Sequence, residues 1–314
     1  MLHDRSPRAG KRAKGERSVI RYSLFILCLG LTACGGAAID DFSADELSMY
    51  SRSFVSLRRD ERRCPSPACG GYWAKDLNRT AAERYVSGLD FGPSGLDAAS
   101  ISEVTSAPAE EVALRARLGP ADGRGYRKLL VYEAYRGMPG VRAAAGDSFF
   151  KAADRNPRIT CFAAPCPNLT ATSVNIGGSR YFSNFDAGDA AKAHVDQEWL
   201  VSRAQIRGAV VAGKMVDGVK YPGGFEKVLS MSQVFVRLPE AMGPCPKSLV
   251  RKCEDGAVET YDRTADRCLV QTGCAKTTAA CQARPACEAG YRLETWNALP
   301  NGCEAFACDP AFVR

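Results

Sequence analysis

Arg84-Tyr85-Val86-Ser87-Gly88-Leu89-Asp90 and Arg180-Tyr181-Phe182-Ser183-Asn184-Phe185-Asp186 are two versions of one phrase, R-Y-x-S-x-x-D. Each follows a Cys-x4-Cys pair, Cys64 and Cys69 before the first, Cys161 and Cys166 before the second. In between, Tyr72, Ala74, Leu77 and Asn78 match Leu169, Ala171, Val174 and Asn175 without a gap. Upstream, Ser53-Phe54-Val55 stands opposite Ser148-Phe149-Phe150. Downstream, the alignment sets residues 129–137 (LLVYEAYRG) opposite 210–218 (VVAGKMVDG). Self-similarity at a fixed spacing marks a duplicated unit. We therefore expect two copies of one module, residues 50–142 and 145–240.

Each copy has the same grammar. Apolar strands are predicted over 53–59 and 148–153, entering the cysteine turn. Further strands leave it over 71–77 and 168–174, and the repeated phrase forms strands over 84–90 and 180–186. A helix is expected next. In the first copy it covers 109–118, with Ser106 as cap, Pro108 near its start and Gly119-Pro120 as its stop. In the second it covers 189–201 and includes Ala190, His194 and Trp199. Strands at 127–135 and 208–216 follow, and a last strand at 228–238 closes the second copy. Short strands with one helix per copy predict an α+β fold with a mainly antiparallel sheet. A module of this size buries a modest core, and one cysteine staple per copy would help it.

Beyond the copies the composition changes. Residues 245–314 hold Cys245, Cys253, Cys268, Cys274, Cys281, Cys287, Cys303 and Cys308. Such density signals a scaffold held by disulfides rather than by an apolar core. The cysteines fall into two sets of four, read as two small knots, and sequence leaves their connectivity open.

The other end is a targeting segment. Of the 42 Lys and Arg in this 314-residue chain, seven lie in the first 21 residues, and residues 23–31 (SLFILCLGL) form a short apolar run. That run is too short to span a bilayer, which takes about 20 residues. Basic start, short apolar stretch and small residues make a cleaved signal, expected to end at residue 33. Leu31-Thr32-Ala33-Cys34 resembles the lipobox of bacterial lipoproteins. The resemblance implies that Cys34 carries lipid and becomes the mature N-terminus, with 34–49 as a flexible linker. Two or three acyl chains would fix the protein to a membrane, and Gly35 after the cysteine favours the outer one. The competing reading is an ordinary secretory signal with an incidental cysteine.

Export bears on the rest. Without residues 1–33 the charge falls from +7 to 35 basic against 33 acidic residues, so the basic excess belongs to the signal and nucleic acid is not an expected partner. Of 14 cysteines, Cys28 leaves with the signal and Cys34 takes lipid. The remaining twelve, Cys64, Cys69, Cys161, Cys166 and the eight of the tail, read as disulfides in an oxidising compartment. Zinc is the alternative, but the chain has no C-x2-C pair.

Two further resemblances are short. Residues 287–308 are similar to antistasin-like and related cysteine-rich inhibitor modules, and Cys64-Pro65 with Cys69-Gly70-Gly71-Tyr72 to a Kazal-type turn. They imply a protease inhibitor with Arg284 as a bait residue, although Pro285 follows it. The plainer reading is a structural knot. Over residues 50–240 the chain resembles a cysteine-containing domain of unknown function in lipoproteins of myxobacteria-type bacteria, through R-R-C-P-x-P-x-C-G-G-Y at 62–72 and I-T-C-F-x-x-P-C-P at 159–167. This resemblance implies a location without a mechanism.

No catalytic device stands out. His194 is the sole imidazole after processing, and the chain has no G-x-S-x-G. The glycine pairs at 70–71, 177–178 and 223–224 are turn signals without phosphate-loop spacing. Asp186 with Asp189 falls short of a calcium loop. Arg84, Asp90, Arg180 and Asp186 recur in both copies and are either strand-end contacts or ligand contacts. The expected function is a non-enzymatic binding or structural module of the cell envelope, without cofactor or metal. Its partners are the membrane, through lipid on Cys34, and an envelope protein or protease. Alternatives are a protease inhibitor and a hydrolase built on unrecognised carboxylates.

Overall fold

In SFVSLRR, Ser53, Val55 and Leu57 are buried while Phe54 and Ser56 are half-buried, and this period of two makes β1 (Ser53–Arg59). The structure is a computed structural model that describes residues 47–155, 164–206, 208–240, 243–247, 251–277 and 280–313. The first copy continues with β2 (Tyr72–Asp76), β3 (Arg84–Val86), β4 (Leu89–Asp90), helix α1 (Ala98–Ser106), β5 (Val112–Ala121) and β6 (Arg127–Gly137). The second repeats the order as β7 (Ser148–Asp154), β8 (Leu169–Ser173), β9 (Ser179–Phe182), β10 (Asn184–Asp186), helix α2 (Gln197–Gln205), β11 (Val210–Tyr221) and β12 (Gly224–Arg237). Both helices begin on an aspartate cap: Asp97 accepts from Ser100 N and Asp196 from Trp199 N.

Among the described residues these twelve strands form one sheet, in the order β3-β2-β1-β5-β6-β12-β11-β7-β8-β9. Its two halves are mirror lists of equivalent strands. The small strands β4 and β10 lie off this path, each parallel to the last strand of its own copy, β6 and β12 respectively. The copies meet where β6 pairs antiparallel with β12, Gly137 opposite Phe235, Arg136 opposite Val236 and Tyr135 opposite Arg237. Tyr135 is equivalent to Phe235 and Gly137 to Arg237, so the outer pairs exchange under a two-fold rotation through Arg136 and Val236. Backbone bonds beyond the strands obey the same symmetry: Leu238 N donates to Ala134 O and Met138 N to Val234 O.

Two expectations are corrected here. Residues 112–118 are strand, not helix, and the first helix lies earlier, at Ala98–Ser106. VALRARL has strong helix formers, but Val112, Leu114, Ala116 and Leu118 are buried at every second position, and pairing to β1 and β6 overrides local preference. The register also shows that the strand equivalent to β11 is β5, not β6, so residues 129–137 correspond to the 229–237 region rather than to 210–218.

The sheet has apolar residues on both faces. The larger core joins Val55, Leu114, Leu129 and Val131 to Phe182, Trp199, Leu200 and Met231. A smaller one gathers Leu77, Tyr135, Val174, Val210 and Phe235, with Phe54 and Phe149 against it.

The tail is two disulfide-tied hairpins, β13 (Val258–Arg263) with β14 (Leu269–Ala275) and β15 (Tyr291–Asn297) with β16 (Glu304–Pro310). Cys245–Cys268 and Cys253–Cys274 tie the first, and Cys281–Cys303 and Cys287–Cys308 the second. In both, first joins third and second joins fourth. The tail docks on the sheet module. Phe312 and Val313 are buried in the larger core, Tyr291 OH donates to Pro139 O at 3.1 Å, and Cys308 N donates to His194 O at 2.8 Å. The protein is thus α+β and mainly antiparallel, with two tandem copies of one helix each and a small disulfide-rich region.

Candidate functional site

Strand β6 carries a bulge at its middle. Arg115 pairs with Glu133 but Ala116 pairs with Val131, which leaves Tyr132 as the extra residue. Tyr132 OH accepts from Arg117 Nε at 2.7 Å, and the Arg52 guanidinium lies 3.8 Å from the ring centre. Glu133 gathers a network drawn from both copies. Arg115 Nη1 donates to its Oε1 at 2.9 Å, and the buried Tyr135 OH donates to its Oε2. Arg237 Nη2, on β12, lies 3.9 Å from the same carboxylate. Lys151 Nζ, on β7, donates to Tyr135 OH at 3.3 Å and sits 5.6 Å from the ring centres of Phe54 and Tyr135.

The electrostatics follow from partial burial. Desolvation alone would raise the Glu133 carboxyl, but hydrogen bonds from Tyr135 and Arg115 outweigh it and hold the group below its ordinary value. Burial, and then the bond to Glu133, push the Tyr135 phenol up, so it stays protonated. Burial lowers the Lys151 amine, opposed by the charge of Glu133. The result is three cations, Arg115, Lys151 and Arg237, around one carboxylate. The Arg237 and Arg115 side chains are 54% and 38% exposed, whereas Glu133 is 14% exposed. Beside them opens a cleft of about 500 Å³, walled by Leu96, Tyr132, Glu133, Arg237, Pro239 and Gly243.

The second copy has the same bulge with different chemistry. Ala212 pairs with Gln233 and Gly213 with Met231, leaving Ser232 as the extra residue. A Cβ on Gly213 would run into Ser230 O, so this bulge needs glycine. Gln233 replaces Glu133, Phe235 replaces Tyr135, Ala212 replaces Arg115 and Ser232 replaces Tyr132.

The residues singled out from sequence have structural roles. Asp90 Oδ1 accepts from Gly92 N at 2.9 Å and Asp186 Oδ1 from Gly188 N at 3.1 Å, the same turn after β4 and β10. Ser87 N and Ser183 N donate to Arg127 O and Lys227 O, also as a pair. Arg84 Nη1 donates to Leu47 O, while Arg180 is exposed on the edge strand β9. The repeated phrase is therefore a turn device that seats β4 and β10 on the long strands, and it does not gather these four residues into one site.

Cys64 is bonded to Cys69, and Cys166 is disulfide-bonded. Cys34 and Cys161 lie outside the described residues. The Cys64–Cys69 turn is braced on its own copy: Tyr85 OH donates to Pro67 O at 2.8 Å, and Arg62, bonded to Asp60, holds that carboxyl down at about 2. Arg284 is clamped by Glu304 through two bonds of 2.6 and 2.5 Å. His194 is exposed in the turn before α2, at a φ of 63°, and not on the predicted helix. Its carbonyl holds Cys308, and this backbone role explains its conformation better than an imidazole function does.

Sequence reasoning passed over Arg115, Glu133, Lys151 and Arg237, which are distant in the chain. One signal was available: a glutamate inside LLVYEAY interrupts an apolar strand.

Among the described residues no group of three or more His, Cys, Asp or Glu is placed to hold a metal ion, and no helix is long and apolar enough to cross a membrane. A family model described as a domain of unknown function (DUF6748) matches residues 53–241. An uncharacterized protein of Dictyostelium discoideum is 28% identical over 261 residues, covering 80% of this chain and 85% of its own length. No solved structure matches.

Proposed function

Since the chain belongs to the DUF6748 family, a domain of unknown function, we propose that it is a binding module without catalysis that works outside the cytosol and takes an anionic ligand at the Glu133 cleft. The observation that carries this reading is the cation cluster at the cleft's edge: Arg237 lines the cleft with Glu133 and Glu240, Glu240 is turned to Arg203, and Arg115 and Lys151 stand behind on Glu133 and Tyr135. Arg237 is exposed enough to meet a ligand in the cleft, and the cleft volume falls within the range of about 300–1,000 Å³ usual for ligand sites. A guanidinium with free donors recognises carboxylate and phosphate by paired hydrogen bonds. Glu133 is held ionised and Tyr135 protonated, which favours binding over acid–base chemistry.

The location rests on the disulfides, which persist in oxidising compartments. On the sequence of residues 31–34 we place lipid on Cys34 and the protein on a cell-envelope membrane, with the outer membrane favoured by Gly35. Its partner is an envelope component rather than nucleic acid. The inhibitor reading is less well supported, because Arg284 is engaged by Glu304 and not presented as bait.

Two measurements test this. Denaturation of the full chain in glutarate should show stabilisation of about 2.7 kcal/mol when the ligand reaches about 100 times its Kd, and Arg237→Glu should abolish it. Equal stabilisation of both proteins, or none, contradicts the reading. Mass spectrometry of the N-terminus from native membranes should find acylated Cys34, and an unmodified start would remove the anchor.

A further inference from the structure

The duplication supplies an internal comparison for the cleft. On the second copy, the chain's own segment after β6 folds over the bulge. Gln233 Oε1 accepts from Met138 N at 3.0 Å, and its Nε2 donates to Met138 O at 3.2 Å and to Val141 O at 2.7 Å. Ala144 N then donates to Ser232 Oγ at 3.2 Å, and Ser232 is in turn bonded to Asp147. Residues 138–147 thus lie along Gln233 and Ser232 as a peptide held by its main chain and by one acidic side chain. Gln233 is completely buried beneath it.

On the first copy the equivalent segment starts in the same way, with Leu238 N donating to Ala134 O. It then departs. Glu240 turns to the buried Arg203, whose Nε lies 2.5 Å from its Oε1. Leu238, Pro239, Glu240, Gly243 and Pro244 therefore wall the cleft instead of filling it. Among the described residues, the place that a peptide covers on Gln233 and Ser232 is open on Glu133 and Tyr132.

We propose that the Glu133 cleft accepts an extended acidic peptide segment, laid where residues 138–147 lie on the second copy. This rests on the reading of the cleft as an anion-binding place and names the class of ligand. Geometry favours a chain, because its twin already holds one. Charge favours acidic side chains: Arg237 and Arg115 replace Gly137 and Ala212 of the twin, and Arg52 and Arg117 flank Tyr132. A membrane surface fits less well, because Glu133 is recessed and the opening is walled by Leu96, Pro239 and Gly243.

The test is a fluorescence-anisotropy titration of the full chain with labelled octaglutamate, with glutarate and phosphatidylglycerol vesicles as comparison probes. Binding of octaglutamate at least about tenfold tighter than glutarate is expected, weakening with salt. Arg237→Glu should reduce it by about tenfold or more, while Arg124→Glu, in the exposed β5–β6 turn, should leave it unchanged. Glutarate binding as tightly as octaglutamate overturns the peptide proposal and leaves the anion reading standing. Binding to vesicles but not to octaglutamate also overturns it, and no binding to any of the three removes both. Equal loss in Arg237→Glu and Arg124→Glu overturns the assignment to this cleft.

Discussion

Asn78 and Asn175 hold the two copies together by the same three hydrogen bonds, each reaching into the other's half. Asn175 Oδ1 accepts from Phe54 N at 2.7 Å, and its Nδ2 donates to Phe54 O and Leu77 O. Asn78 Oδ1 accepts from Phe149 N at 2.8 Å, and its Nδ2 donates to Phe149 O and Val174 O. The sheet thereby curls until β1 and β7, separated along it by four strands, are clasped across their ends. Both asparagines sit at positive φ, 61° and 66°, a region that asparagine tolerates better than most residues.

The clasp predicts a large effect for a small change. Asn175→Ala removes the partner that Asn175 gives to Phe54 N and to Leu77 O, while Phe54 O keeps its bond from Leu77 N; unmet buried groups cost about 1–3 kcal/mol each. Urea denaturation should show a loss of about 3 kcal/mol. Asn175→Gly relieves the backbone strain and should lose about 1 kcal/mol less. A loss under about 1 kcal/mol for Asn175→Ala would show that the ends of the sheet are held by other contacts.

The two bulges predict unequal costs for the two directions of one chemical exchange. Glu133→Gln removes the counter-charge of Arg115 and Arg237 at a half-open position and should cost about 1–3 kcal/mol. Gln233→Glu faces a carboxylate toward Met138 O and Val141 O in a fully buried site, and should cost about 3 kcal/mol or more. Chemical denaturation of both variants checks the order, and a smaller cost for Gln233→Glu would contradict it.

The Lys151 amine gives a signed pH dependence. Burial lowers its folded pKa below the ordinary 10.5, so between those two values the unfolded chain binds the proton that the folded one has released. Stability should therefore rise with pH across that window. Glu133 acts at the other end: its folded value lies below the ordinary 4.5, so its contribution is present above that range and is lost as pH falls through the folded value. Lys151→Met should flatten the alkaline rise and leave the acid limb in place. An unchanged alkaline limb in urea denaturation across pH would remove Lys151 as its source.

The tail should matter to the whole fold. Phe312 is buried in the larger core with the Arg136 guanidinium 5.7 Å from its ring centre. Phe312→Ala should cost about 3–5 kcal/mol by leaving a cavity. Unfolding of the tail alone, with the sheet module's transition unmoved, would contradict this docking.

Much of the fold was legible because the duplication preserved residues with backbone jobs. The Cys64–Cys69 turn, Asn78 with Asn175 and Asp90 with Asp186 each solve a local geometric problem that few other residues solve, so they stand out when the copies are compared. The strands between them needed only apolar alternation and drifted, which is why sequence alone aligns 129–137 with 210–218 rather than with its structural equivalent, the 229–237 region. Residues 109–118 misled for another reason, since their helix-favouring composition is overruled by pairing on both sides. The site was hidden because it consists of differences between the copies. Arg115, Glu133 and Arg237 stand where Ala212, Gln233 and Gly137 stand in the twin, and a search for matching residues passes over them. Docking of the tail through Phe312 and Val313 depends on long-range contacts that cysteine spacing does not encode.

A crystal structure of the full chain with octaglutamate addresses the central claim most directly. The account predicts an extended peptide between Tyr132 and Pro239, with a carboxylate on Arg237. A peptide bound elsewhere, or an empty cleft at saturating peptide, would contradict it.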